Sequence, residues 1–324
     1  MPSESHDGGG GAESQPPGTE GPVGERPSAP TGSGLSGPWR HPHTFRTRNL
    51  RASENQAHTR EGAQARGFRG SIVGGAIVYG RMIQPLIERW GESWLERSRL
   101  DVRFKAPAFD EDTIEAGFET GTGEDGQPCL TVRARNREGV ELIELEGRLR
   151  RDLPAPDALA QLEPVEWEGE RLEGTWDRMA LHHPFRAYRF RVTPEEQRVY
   201  CDATGDDLAL YRRGSQPPAH PGLVMAQGSR VVAHQFVMPF WIHASSTLDH
   251  RRVIRVGDAI ELRCVPIEKW RRGESEWVRF YQLYLAGGAP AIEVWKTSVI
   301  KVAPVRRVPE GEQAPSSPPD RMAE

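Results

Sequence analysis

Two stretches of the chain carry apolar residues at helical spacing, and each is followed by short runs in which apolar and polar residues alternate. In residues 74–91, Tyr79, Met82, Ile83, Leu86 and Trp90 fall on one stripe, which predicts a buried helix. Pro85 removes a bond of the helical ladder and predicts a kink. Alternating runs at 100–105, 113–118, 130–135 and 140–145, separated by Gly, Asp and Asn, then read as an antiparallel sheet with one wet face. The order repeats downstream, with a helix over 223–234 introduced by Pro221 and Gly222, and strands at 252–256, 259–265, 278–285 and 291–302. Asp112-Thr113-Ile114-Glu115 has a counterpart in Asp258-Ala259-Ile260-Glu261, and Gly75 in Gly222, so the pattern predicts an internal duplication.

Length and composition divide the 324 residues further. Residues 1–38 and 304–324 are dominated by Gly, Pro, Ser and Glu, with too little apolar surface to offset the entropy of ordering, and are expected as disordered tails. The acidic, Pro-containing stretch 152–176 is expected as a linker between a first domain at 39–151 and a second at 177–303. A net charge of −4 offers no general attraction to nucleic acid. Arg greatly outnumbers Lys, which occurs only at Lys105, Lys269, Lys296 and Lys301; this reads as a coding bias rather than as phosphate chemistry. Cys129, Cys201 and Cys264 form no CxxC pair and fit a reduced cytoplasm. No basic-then-apolar leader opens the chain, and the most apolar stretch, 72–87, is short and holds Arg81 and Pro85, so a soluble protein without a membrane span is expected.

The segment Ser53-Glu54-Asn55-Gln56-Ala57-His58, followed by Gly67-Phe68 and then Ile72-Val73-Gly74-Gly75, resembles the hydratase loop and helix start of MaoC-like hotdog proteins, whose pattern runs Asp-x-Asn-Pro-x-His, Gly-Phe, Ile-Val-x-Gly. The second half carries Gly205-Asp206-Asp207, then Ala219-His220-Pro221-Gly222, then Trp241-Ile242-His243. The resemblance covers roughly residues 44–303. It implies an α+β tandem (double) hotdog fold, two antiparallel sheets each wrapped around a central helix. It also implies an acyl-thioester pocket at the overhanging loop and the helix start. There an Asp and a His would hold the water that adds across an enoyl thioester, while amides at the helix start would polarise the carbonyl.

Neither half holds the full pair. Ser53 stands at the Asp position and Gln56 at the Pro position of the first motif; Leu208 and Tyr211 stand at the Asn and His positions of the second. His58, Glu54, Asn55 and Asp206 are therefore the candidate catalytic residues, with His58 as the proton-handling group and Glu54 as its nearest carboxylate. Gly75, Tyr79, Gly222, His220, Tyr211 and His243 are the candidate substrate-binding residues. The expected activity is hydration of an enoyl-CoA or dehydration of a 3-hydroxyacyl-CoA, with CoA as substrate carrier and no cofactor. The alternatives are a non-catalytic acyl-CoA or lipid-binding protein, in a hetero-complex or alone, and a thioesterase. His41, His43, His182 and His183 lack carboxylate or Cys partners at metal-ligand spacing, and no metal is expected. Fused halves allow a monomer or a homodimer.

Overall fold

The computed structural model describes residues 40–50, 55–122, 128–166 and 168–303; both expected tails and Glu54 lie outside them. The first half runs β1 (Arg40–Arg46), α1 (Arg60–Gln64), α2 (Gly75–Met82), α3 (Gln84–Trp90), α4 (Glu92–Arg97), β2 (Ser98–Phe104), β3 (Thr113–Thr122), β4 (Pro128–Asn136) and β5 (Glu141–Leu149). The second runs β6 (Leu172–Glu173), β7 (Tyr188–Phe190), α5 (Pro194–Thr204), α6 (Pro221–Gln235), β8 (Phe236–Val237), β9 (Ile242–His250), β10 (Ile260–Arg272), β11 (Ser275–Ala286) and β12 (Ala289–Lys301).

The main strands form one 10-stranded sheet in the order β1-β3-β4-β5-β2-β9-β12-β11-β10-β7. The two expected sheets are thus joined edge to edge: β2 pairs antiparallel with β9, with Val102 opposite Ser246 and Arg99 opposite Asp249. Joining removes two open strand edges from water. Buried alternation along β2, with Ser98, Leu100 and Val102 inward, turns one face of the sheet to the helices.

The duplication is visible in the backbone. Phe109 N–H donates to Asp112 at 2.9 Å and Val73 N–H to the Ala108 carbonyl at 2.8 Å; the matching bonds, Arg255 N–H to Asp258 and Ala219 N–H to the Ile254 carbonyl, have the same lengths. Isolated bridges Ile72–Phe109 and Pro218–Arg255 recur at the same spacing. This register sets Gly74 against His220, and so places Gly222 one position later than Gly75. Residues 252–256, expected as a strand, instead pair with the loop before α6, as Val256 N–H donates to the Pro217 carbonyl at 2.9 Å; Ile254 and Val256 are buried there without joining the sheet.

Pro85 divides the first helical stretch. α2 ends at Met82, Ile83 is shared as cap, and Pro85 sits in the first turn of α3, where its missing N–H costs nothing. The segment expected as a linker is ordered where described: a short 3-10 turn at Ala158–Gln161 brings Leu159 and Leu162 onto Val265, Tyr281 and Leu283.

Central helices α2 and α6 cross at glycine. A Cβ on Gly80 would lie 2.8 Å from His220 Cε1 and 3.0 Å from Gly222 Cα, and one on Gly222 would lie 2.8 Å from the Ala76 carbonyl oxygen. Gly222→Ala is therefore expected to destabilise the protein by about 1–3 kcal/mol through overpacking against backbone that cannot yield. Gly70→Ala, whose Cβ meets only Phe109 Cδ1 at 4.0 Å, should stay within about 0.5 kcal/mol. Urea denaturation of the two variants beside the parent checks the contrast.

Candidate functional site

The duplication creates two equivalent places, each where a loop meets the N-terminus of a central helix. In the second half this place is closed. His220 caps α6: its Nδ1 accepts from Gly222 N–H at 3.1 Å, so the single ring proton sits on Nε2 and is donated to Asp206 Oδ2 at 3.0 Å. Both side chains have no exposed surface. The other Asp206 oxygen accepts from Leu208 N–H at 3.1 Å, and Arg81 from α2 stands 3.6 Å from Oδ2. Burial alone would raise the Asp206 carboxyl, but the His220 bond and charge, the Leu208 amide and Arg81 together hold it below its usual value. Burial lowers His220 and keeps it neutral, against the pull of Asp206. The rings of Tyr211 and Tyr200 each lie 4.6 Å from the His220 ring and seal it.

In the first half the place is open. Asn55 caps the 3-10 turn Gln56–His58 by accepting from Ala57 N–H at 3.0 Å, and its Nδ2 donates to the Trp241 carbonyl at 2.9 Å. The loop is thereby tied to the opposite half at the Trp241-Ile242-His243 segment. His58 Nδ1 donates to the Ile72 carbonyl at 2.7 Å, which leaves Nε2 as the lone-pair nitrogen. Burial lowers the His58 pKa, and the Ile72 bond only partly opposes it, so the ring is neutral at pH 7. Its Cε1 lies 3.7 Å from the Cβ position of Gly74, at the head of α2. Gly74 makes no side-chain cap bond, so α2 offers its first amides where α6 has its own covered.

A cavity of about 670 Å³ opens at this place. Asn55, His58, Gly74 and Gly75 line one wall; Met225, Gln227, Ser229 and Arg230 of α6 line another; Trp241 and His243 close a third. Gly75 is needed because a Cβ there would lie 2.5 Å from Phe104 Cε1. The Phe104 ring in turn rests 4.6 Å from that of His243. His243 Nε2 is 2.7 Å from Ser246 Oγ and 3.2 Å from the Ser245 carbonyl, and burial, then Lys296, push its pKa well down. Among the described lining residues there is no Asp or Glu, while Lys105, Arg171 and Arg230 stand on the wall.

Of the sequence candidates, His58, Asn55, Gly75 and His243 meet around one space. Asp206, His220, Gly222 and Tyr211 do not reach it; they form the closed counterpart, and a carboxylate with no exposed surface and both oxygens engaged is not available to a reacting group in the cavity. Tyr79 is fully buried and borders a separate void of about 20 Å³. Glu54 is outside the described residues. Sequence reasoning did not single out Arg81, Gln227, Ser229 or Lys296; a charged residue on the apolar stripe of a helix or strand was the available signal for the first and last. All three cysteines are buried, and no group of metal-binding side chains occurs among the described residues. Among the same residues no helix is long and apolar enough to cross a membrane.

No protein-family model matches the sequence, and no curated protein matches it either. Solved structures do match in fold. A protein assigned as a MaoC domain dehydratase from Chloroflexus aurantiacus superposes with a TM-score of 0.54 over 83% of this chain and 99% of its own, at 14% identity. A MaoC-like dehydratase gives 0.52 over 80% and 97%, at 12% identity. Rv0216 of Mycobacterium tuberculosis, described as a double hotdog fold, gives 0.52 over 81% and 98%, at 12% identity. The chain has the double-hotdog fold of these MaoC-like proteins.

Asp206→Ala strands the His220 N–H and the Arg81 cation in the interior, and is expected to cost about 3–5 kcal/mol. Ligand binding in the His58 cavity by the folded fraction should be unaltered. Chemical denaturation and a binding titration below the unfolding transition check both halves of the statement.

Proposed function

We propose that the cavity binds an acyl thioester and that the protein is a hydratase or dehydratase acting on an enoyl-CoA or 3-hydroxyacyl-CoA, with His58 moving the proton. The observation that carries the reading is the neutral His58 ring, with Nε2 left unprotonated by the Ile72 bond, beside the uncapped N-terminus of α2 in a cavity of about 670 Å³.

The chemistry follows from the two groups. Water adds to C3 as His58 Nε2 takes its proton; the electron pair of the double bond moves through C2 onto the thioester oxygen. That oxygen gains charge, and the free amides at Gly75 and Ala76, at the positive end of the helix dipole, are donors already in place for it. The imidazolium then returns the proton to C2, the enolate collapses, and one neutral His has performed both transfers. Asn55 holds the loop and does not exchange protons. Phosphates of the carrier would find Arg171 and Arg230 on the cavity wall. The fold shared with the MaoC-like dehydratases supports the same reading.

A binding-only role is the second reading, and one observation favours it: no carboxylate lines the cavity among the described residues, so nothing described there assists the imidazole.

Enoyl-CoA loss over a panel of chain lengths tests the proposal. His58→Ala should lower kcat by about 10²- to 10⁴-fold while leaving the affinity for saturated acyl-CoA unchanged. Because a base must be deprotonated and burial lowers this one, the acid limb of kcat/KM should fall below pH 6.5 and disappear in the variant. Tight binding without turnover by the parent would leave the binding-only role, and release of free thiol would identify a hydrolase.

A further inference from the structure

Lys296 breaks the pattern of the strand that carries it. On β12, Ile292 and Val294 face the central helices and line the small void with Tyr79 and Val224. Lys296, two residues further on, faces the same way and is only 4% exposed. Its cross-strand neighbours are Ser246 and Phe280. An ammonium in such a place normally has a carboxylate beside it, because desolvating an unpaired charge is costly. Among the described residues none is there: Lys296 Nζ donates to Ser229 Oγ at 2.7 Å, and no ion pair is formed.

Ser229 connects this cation to the cavity. It lies on α6, on the face that includes Ala226, Arg230 and Ala233, all of which line the wall. Its oxygen accepts from Lys296, and its own hydroxyl hydrogen has no acceptor among the described residues. An alcohol whose oxygen is held by an ammonium is a strengthened donor, and this one belongs to a residue that lines a space with Arg171 and Arg230 on its wall and, among the described lining residues, no acid. Burial lowers Lys296 to about 8, a value that an incoming anion would raise again.

We propose that Ser229, backed by Lys296, is an anion subsite within the cavity, and that the acyl group received there bears a carboxylate, as in the monothioester of a dicarboxylic acid. This rests on the acyl-thioester reading of the cavity. The thioester sits at His58 and the head of α2; the second carboxylate accepts from the Ser229 hydroxyl within the field of the buried ammonium. A plain hydrocarbon chain would leave the Ser229 hydroxyl without an acceptor and the ammonium without a counter-charge.

The test compares binding of CoA monothioesters of dicarboxylic acids with that of monocarboxylic acyl-CoAs of equal chain length, so that the CoA contribution cancels. The parent should prefer the dicarboxylic series by on the order of 10- to 100-fold. Lys296→Met and Ser229→Ala should each reduce that preference towards unity while still binding the monocarboxylic series. Lys296→Met should also match or exceed the parent in thermal stability, since it removes a buried unpaired charge; a purely structural lysine would do the opposite and leave selectivity unmoved. Equal affinity of the parent for the two series overturns the subsite alone. Failure of both series to bind overturns the acyl-thioester reading with it.

Discussion

The crossing of α2 and α6 at Gly80 and Gly222 is the constraint on which the remaining architecture depends. Backbone meets backbone there, with the Ala76 carbonyl and the Gly80 and Gly222 Cα atoms in contact range of any added carbon. So close an approach lets the sheet of both halves run continuously through the β2–β9 pairing and wrap one pair of helices. It also brings each helix N-terminus against the other half, so that every potential site is built from both. Arg81 of α2 reaches Asp206, and Asn55 holds Trp241, for this same reason.

Duplication should give two equal sites, and side-chain chemistry has made them unequal. Position 74 is Gly and position 220 is His. The imidazole covers the α6 amides, takes the Asp206 carboxylate for itself and is packed between two tyrosines. The glycine leaves α2 bare, and His58 is held next to it by a carbonyl. One half has thus become an interior brace, in which charge is matched and water excluded. The other keeps the unfilled volume and an unprotonated ring nitrogen.

Electrostatics follow the same division. The closed place holds the Asp206 carboxylate, and other buried carboxylates lie in ion pairs that do not line the cavity, Asp249 with Arg99 across the joint between halves and Glu293 with Arg251 beneath the 153–166 segment. The open cavity is lined mainly by apolar side chains, and its polar groups among the described residues are imidazoles, amides, hydroxyls and cations, of which Lys105 is paired with Glu141 and Glu144. Cations on such a wall favour a ligand that carries negative charge, and burial keeps the histidines neutral.

Much of the fold was legible in the sequence because hydrophobic period is a local property. The helical stripe at 79–90, the alternating runs and the paired Asp-x-Ile-Glu segments all lie within short windows, and the matching Asp112 and Asp258 turns are the backbone form of that repeat. His58 and Asn55 were legible through the spacing of their loop. The fate of Asp206 was not, because its partner His220 and the Arg81 cation are brought to it only by the packing of α2 against α6. The same holds for Ser229 and Lys296, on a helix and a strand far apart in the chain. Residues 252–256 read as a strand because their burial resembles that of one, whereas backbone pairing, which decides strand identity, depends on a loop distant in sequence. Local pattern determined the elements and their duplication; which of two equivalent sites stays open was decided by contacts that exist only once the halves are joined.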